Sequence, residues 1–79
     1  MSKRIPALKP KQVLKVLQRA GFYIHHQKGS HAQLRHQFDS ELRVTIPMHS
    51  HFDLPPSVVQ SILRQADISK EKLLELLGK

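Results

Sequence analysis

Val13, Leu14, Val16, Leu17 and Ala20 recur at helical spacing, with Lys11, Lys15, Gln18 and Arg19 on the intervening positions. This pattern predicts an amphipathic helix with one face turned inward. Pro10 suits its first turn, where no N–H partner is needed. Gly21 suits the left-handed position that ends it. After the glycine the period changes to two, and strand-like runs occupy 22–28, 31–38 and 41–46. In these runs Phe22, Ile24, Ala32, Leu34, Phe38, Leu42, Val44 and Ile46 are all even-numbered. Side chains alternate faces along a strand, so these residues are expected to share one buried face. The odd positions Tyr23, His25, Gln27, His31, Gln33, Arg35, Arg43 and Thr45 then share the opposite face, which is polar and basic.

Turn residues set an expected register. Gly29 marks the first turn and Asp39-Ser40 the second. A three-residue connection over 28–30 places Gln27 opposite His31. A three-residue turn over 39–41 places Arg35 opposite Thr45, with Arg43 diagonal to it. Both connections keep parity, which a two-residue turn would break. Pro47 ends the third strand because it has no N–H for the ladder. A loop over 48–54 leads to Pro55-Pro56-Ser57, which opens a second helix striped by Val58, Val59, Ile62, Leu63 and Ala66. Ser69 reads as the N-cap of a last helix, and Ile68 and Leu73 stand at hydrophobic-staple spacing. Leu73, Leu74, Leu76 and Leu77 form its apolar face. The expected fold is α+β, in the order α-β-β-β-α-α, with helices on one face of a three-stranded antiparallel sheet.

Composition narrows the class. A chain of 79 residues has room for one modest core, so residues 1–79 read as a single domain. Lys3, Arg4, Lys9 and Lys11 give a basic N-terminal arm, centred on residues 1–8, that either tracks a polyanion backbone or is disordered. No cysteine is present, which excludes disulfides and thiolate metal sites. No apolar run approaches the roughly 18 residues of a membrane span, and Lys3 and Arg4 are not followed by the apolar stretch of a signal peptide. Thirteen Lys and Arg against six Asp and Glu leave a formal charge of +7. That excess favours a polyanionic partner, most often nucleic acid; the plain alternative is a basic, soluble surface. Few aromatic residues are present, which argues against a base-stacking platform.

Six histidines need sorting. Histidine takes or gives a proton near neutral pH, with an unperturbed pKa of about 6.5. His31 falls on the polar face, directly after the turn in Lys28-Gly29-Ser30-His31. Placed against RNA, an imidazole there can remove the 2′-OH proton, promote in-line attack on the adjacent phosphodiester and leave a 2′,3′-cyclic phosphate. The plain alternative is a surface histidine that at most hydrogen-bonds a phosphate. His25 and His26 are adjacent and point to opposite faces, His25 outward and His26 inward. His36 has core parity and reads as a half-buried filler with one satisfied nitrogen. His49 and His51 form an H-x-H pair, but stable zinc sites need three or four ligands. His49 reads better as a second proton-transfer group or a phosphate contact, and no metal is assigned. Lys28, Arg35 and Arg43 are the cations on or beside the polar face, suited to phosphate or simply solvated. Ser30 either donates to phosphate or closes the turn. No phosphate-cradling G-x-x-x-x-G-K loop and no H-E-x-x-H helix is present.

Four segments in order carry a family resemblance: Leu17-Gln18-Arg19-Ala20-Gly21-Phe22, Lys28-Gly29-Ser30-His31, Val44-Thr45-Ile46-Pro47-Met48-His49, and Ile62-Leu63-Arg64-Gln65-Ala66-Asp67-Ile68-Ser69. Together they span nearly the whole chain, and it resembles the HicA-type mRNA interferase toxins, also called the YcfA-like family. The resemblance implies a double-stranded-RNA-binding-like α-β-β-β-α fold and a cytoplasmic, prokaryotic toxin. It implies metal-independent, cofactor-free ribonuclease activity on mRNA, with one essential histidine in the Gly-Ser-His motif, here His31. It also implies a HicB-type antitoxin as protein partner. Pro55-Pro56-Ser57 departs from the family, which often opens that helix with a Gly-Thr or similar pair. On this reading Lys28, Gly29, Ser30, Arg35, Arg43 and His49 contact RNA, and the cations stabilise the pentavalent charge. The rival reading is a non-catalytic RNA-binding module that uses the same basic sheet face.

Overall fold

The computed structural model describes residues 4–48 and 52–78. Helix α1 (Pro10–Arg19) is followed by strands β1 (Phe22–Lys28), β2 (His31–His36) and β3 (Arg43–Pro47), then by α2 (Pro56–Ala66) and α3 (Lys70–Leu77). The strands form one antiparallel sheet in the order β1-β2-β3, an α+β arrangement. Ala32, Leu34, Val44 and Ile46 are buried beneath the helices with Val13, Val16 and Leu17 of α1, Val59, Ile62 and Leu63 of α2, and Leu73 and Leu76 of α3. No helix among the described residues is long and apolar enough to cross a membrane.

Local chemistry sets each boundary. Pro10 is the first residue of α1, and Gln12 Oε1 accepts the Lys9 N–H at 2.9 Å. Gly21 follows the helix at φ 101°, and a Cβ there would lie 2.7 Å from His36 Nε2. Both the backbone angle and the space therefore demand glycine. Pro56 opens α2, and Asp67 closes it in the left-handed conformation. Ser69 caps α3 by accepting the Lys72 N–H at 3.0 Å. The Arg19 guanidinium donates to the Leu76 carbonyl at 2.6 Å, tying α1 to the last turn of α3, where a cation suits the helix end. At the other end, Leu8 pairs with Leu54 through two backbone hydrogen bonds, and Leu8 is buried. The stretch read as a basic arm is thus anchored at its inner end, while Lys3 lies outside the described residues.

Strand β1 has the expected bounds, but β2 and β3 fall short of the alternation where they face each other across the second connection. Asp39 Oδ1 accepts the Glu41 N–H at 3.1 Å and the Asp39 carbonyl accepts the Leu42 N–H at 3.1 Å. This turn holds 39–42 out of the sheet, so β2 stops at His36 and β3 starts at Arg43. Phe38, expected in the core, is beyond the ladder and 88% exposed. Leu42 is half-buried against the core. Ile24 keeps inward register opposite Leu34, yet β1 is an edge strand and leaves it 40% exposed. The opposite edge is different, because Gln65 of α2 accepts the Thr45 N–H at 3.0 Å and occupies part of it.

Candidate functional site

The hairpin between β1 and β2 corrects the expected register. Gly29 and Ser30 alone form the turn, so Lys28, not Gln27, pairs with His31. Gly29 has φ 58°, a conformation that glycine adopts without strain. A two-residue turn pairs even with odd positions, which would put Phe22 on the wet side. A β-bulge between Ile24 and His26 absorbs the mismatch: Gln27 pairs with Ala32 and His26 with Gln33, whereas Ile24 pairs with Leu34 and Phe22 with His36. Phe22 is thereby returned to the core.

The same bulge redistributes the histidines. His26, expected to point inward, pairs with the outward Gln33 and shares its exposed face. His25 is the extra residue of the bulge instead of a regular member of the polar face. His36 is half-buried as expected, but both of its nitrogens are satisfied, not one. Its Nδ1 accepts the Phe38 N–H at 3.1 Å, which assigns the proton to Nε2, the donor to the Ala20 carbonyl at 3.0 Å. The ring also meets Phe22 edge-on at 4.9 Å between centroids. These contacts make His36 structural.

Arg35 pairs directly with Arg43, and Gln33 with Thr45. The expected Arg35–Thr45 pair and the diagonal Arg43 assumed a shorter connection than the one over 37–42. Like charges directly opposite each other destabilise a ladder. Among the described residues neither guanidinium has a carboxylate partner, and the ion pairs there are Lys9–Asp53 and Lys72–Glu75, both exposed. Gln33, Arg35, Arg43 and Thr45 line a shallow recess of about 220 Å³ on the outer face.

By register, then, the outer face carries Tyr23, His26, Lys28, His31, Gln33, Arg35, Arg43 and Thr45, with no acidic residue. His31 is exposed at the first position of β2 and pairs on its other side with Pro47. Its position is pinned from both directions, because the Met48 N–H donates to the Ser30 carbonyl. The face thus divides into a His31–Lys28–His26 end beside the Gly29-Ser30 turn and an Arg35–Arg43 end. Arg35 lies four positions along the strand from His31, a distance of about 13 Å. His49 and His51 lie outside the described residues. Among the described residues no cluster of three or more His, Asp or Glu side chains is placed to hold a metal. His26 is the residue that sequence reasoning missed, and the two-residue spacing of Gly29-Ser30 is the signal that pointed to it.

A family model described as the HicA toxin of bacterial toxin–antitoxin systems matches residues 10–68. No curated protein matches the chain.

Proposed function

Because the chain belongs to the HicA toxin family of bacterial toxin–antitoxin systems, we propose that this toxin is an endoribonuclease acting on mRNA in the bacterial cytoplasm. His31 is its essential proton-transfer residue, and no metal takes part. A HicB-type antitoxin is the partner that neutralises it. The observation that carries this reading is the direct pairing of exposed His31 with Lys28 on a sheet face without carboxylates. An imidazole there can accept the 2′-OH proton of RNA. The ammonium opposite it can hold the non-bridging oxygens as negative charge builds on phosphorus. Gly29 and Ser30 fix the turn from which both side chains project. Arg35 and Arg43 extend the cationic track along the backbone of the RNA. His49 is assigned to the RNA interface on sequence grounds.

The test is cleavage of RNA by the purified chain in the presence of EDTA, with product ends analysed. The expected product carries a 2′,3′-cyclic phosphate. His31→Ala is expected to slow cleavage by about 10²–10⁴-fold, with a urea melt checking that the variant is folded under the assay conditions. Equal cleavage by a folded variant removes His31 from the mechanism. Salt-sensitive binding without any cleavage selects the alternative, a non-catalytic RNA-binding module on the same face.

A further inference from the structure

The bulge at His25 brings a second imidazole to the outer face. His26 pairs with Gln33, and Lys28, two residues on, pairs with His31. His26 and His31 are therefore diagonal neighbours across one hairpin, a placement that sets Cα atoms about 7–8 Å apart. Side chains stand roughly perpendicular to a sheet, so both rings project to the same side with the Lys28 ammonium adjoining them. All three residues are exposed, and no carboxylate shares the face.

In-line displacement at a phosphodiester has two proton sites on opposite sides of phosphorus. The attacking 2′-oxygen loses a proton, and the departing 5′-oxygen needs one. A group hydrogen-bonded to the first oxygen at about 2.8 Å does not also reach the second. Two imidazoles a diagonal apart, with a cation beside both, meet that requirement.

We propose that His26 is the general acid of the reaction in which His31 is the general base; this rests on the ribonuclease reading above. His31 takes the 2′-OH proton as the 2′-oxygen–phosphorus bond forms. The phosphorus–5′-oxygen bond breaks, and the His26 imidazolium gives its proton to the leaving oxygen. The products are a 2′,3′-cyclic phosphate and a 5′-hydroxyl, and exchange with water restores both rings. Lys28 holds the non-bridging oxygens throughout.

The experiment compares two substrates with the full chain: an RNA oligonucleotide, and uridine 3′-(4-nitrophenyl phosphate), whose phenolate leaves without being protonated. His26→Ala is expected to lose about 10²-fold or more on RNA and far less on the aryl ester. His31→Ala is expected to lose similar factors on both. Urea melts of the variants control for folding, and His26→Gln repeats the comparison with a side chain of similar reach that cannot act as the acid. If His26→Ala loses the same factor on both substrates, or none on RNA, the assignment of the acid is overturned. Full activity of His31→Ala overturns the parent reading instead, a result separate from either His26 outcome.

Discussion

At Arg43 the ladder and the charge pull in opposite directions. Its guanidinium stands directly across from Arg35 with no carboxylate partner among the described residues. A like-charge pair of this kind costs a few tenths of a kcal/mol to about 1 kcal/mol. A phosphate lying between the two groups converts that cost into affinity. Arg43→Gln is accordingly expected to raise the unfolding free energy by about 0.5 kcal/mol while weakening RNA binding, measured by urea melts and fluorescence anisotropy. Loss of both stability and binding removes the phosphate role. The Arg35–Arg43 opposition was not legible in the sequence. It depends on Asp39 holding Glu41 and Leu42 in a turn, which lengthens the connection and shifts the pairing. Parity alone assigned His36 to half burial, whereas its two hydrogen-bond partners emerged only when Ala20 and Phe38 were brought to it.

Among the elements, the helices were the most legible. Pro10, Gly21, Pro56 and Ser69 act on their own neighbours, so their positions mark helix ends before any packing is known. Helix α3 lies beyond the matched span 10–68, yet Leu73 and Leu76 are part of the core and Arg19 bonds its last turn. Leu73→Ala is therefore expected to cost about 2–5 kcal/mol, read from urea unfolding monitored by circular dichroism. A loss well below 1 kcal/mol would show that α3 is an appendage. Strand β1 was the least legible. Its alternation from Phe22 to Lys28 shows no break in composition, but the bulge divides it into two registers of opposite parity. The turn length and the bulge compensate each other, so the even-odd alternation alone reveals neither.

For the whole molecule, the consequence of +7 charge lies in where the acids are absent. Asp39 and Glu41 sit in the connection over 37–42, Asp53 pairs with Lys9, and Asp67, Glu71 and Glu75 belong to the helical part. The outer sheet face keeps Lys28, Arg35 and Arg43 without opposition. Three phosphate contacts on single-stranded RNA predict a slope of about −2 for log K against log salt. Anisotropy titrations across a salt series measure it, and a slope near zero places RNA binding elsewhere or nowhere.

From sequence alone come the element order, the apolar stripes that make the core, and the excess of cations on one strand face. These follow from periods of 3.6 and 2 and from local end chemistry, which each segment carries within itself. Tertiary structure decided which residues meet across the strands: Lys28 with His31, Arg35 with Arg43, and His26 on the outer face. Strand pairing joins segments through turns, and one residue more or less in a turn or a bulge reverses every face that follows. The choice is settled by burying Phe22, Ala32, Leu34, Val44 and Ile46 together, a condition that no single segment contains.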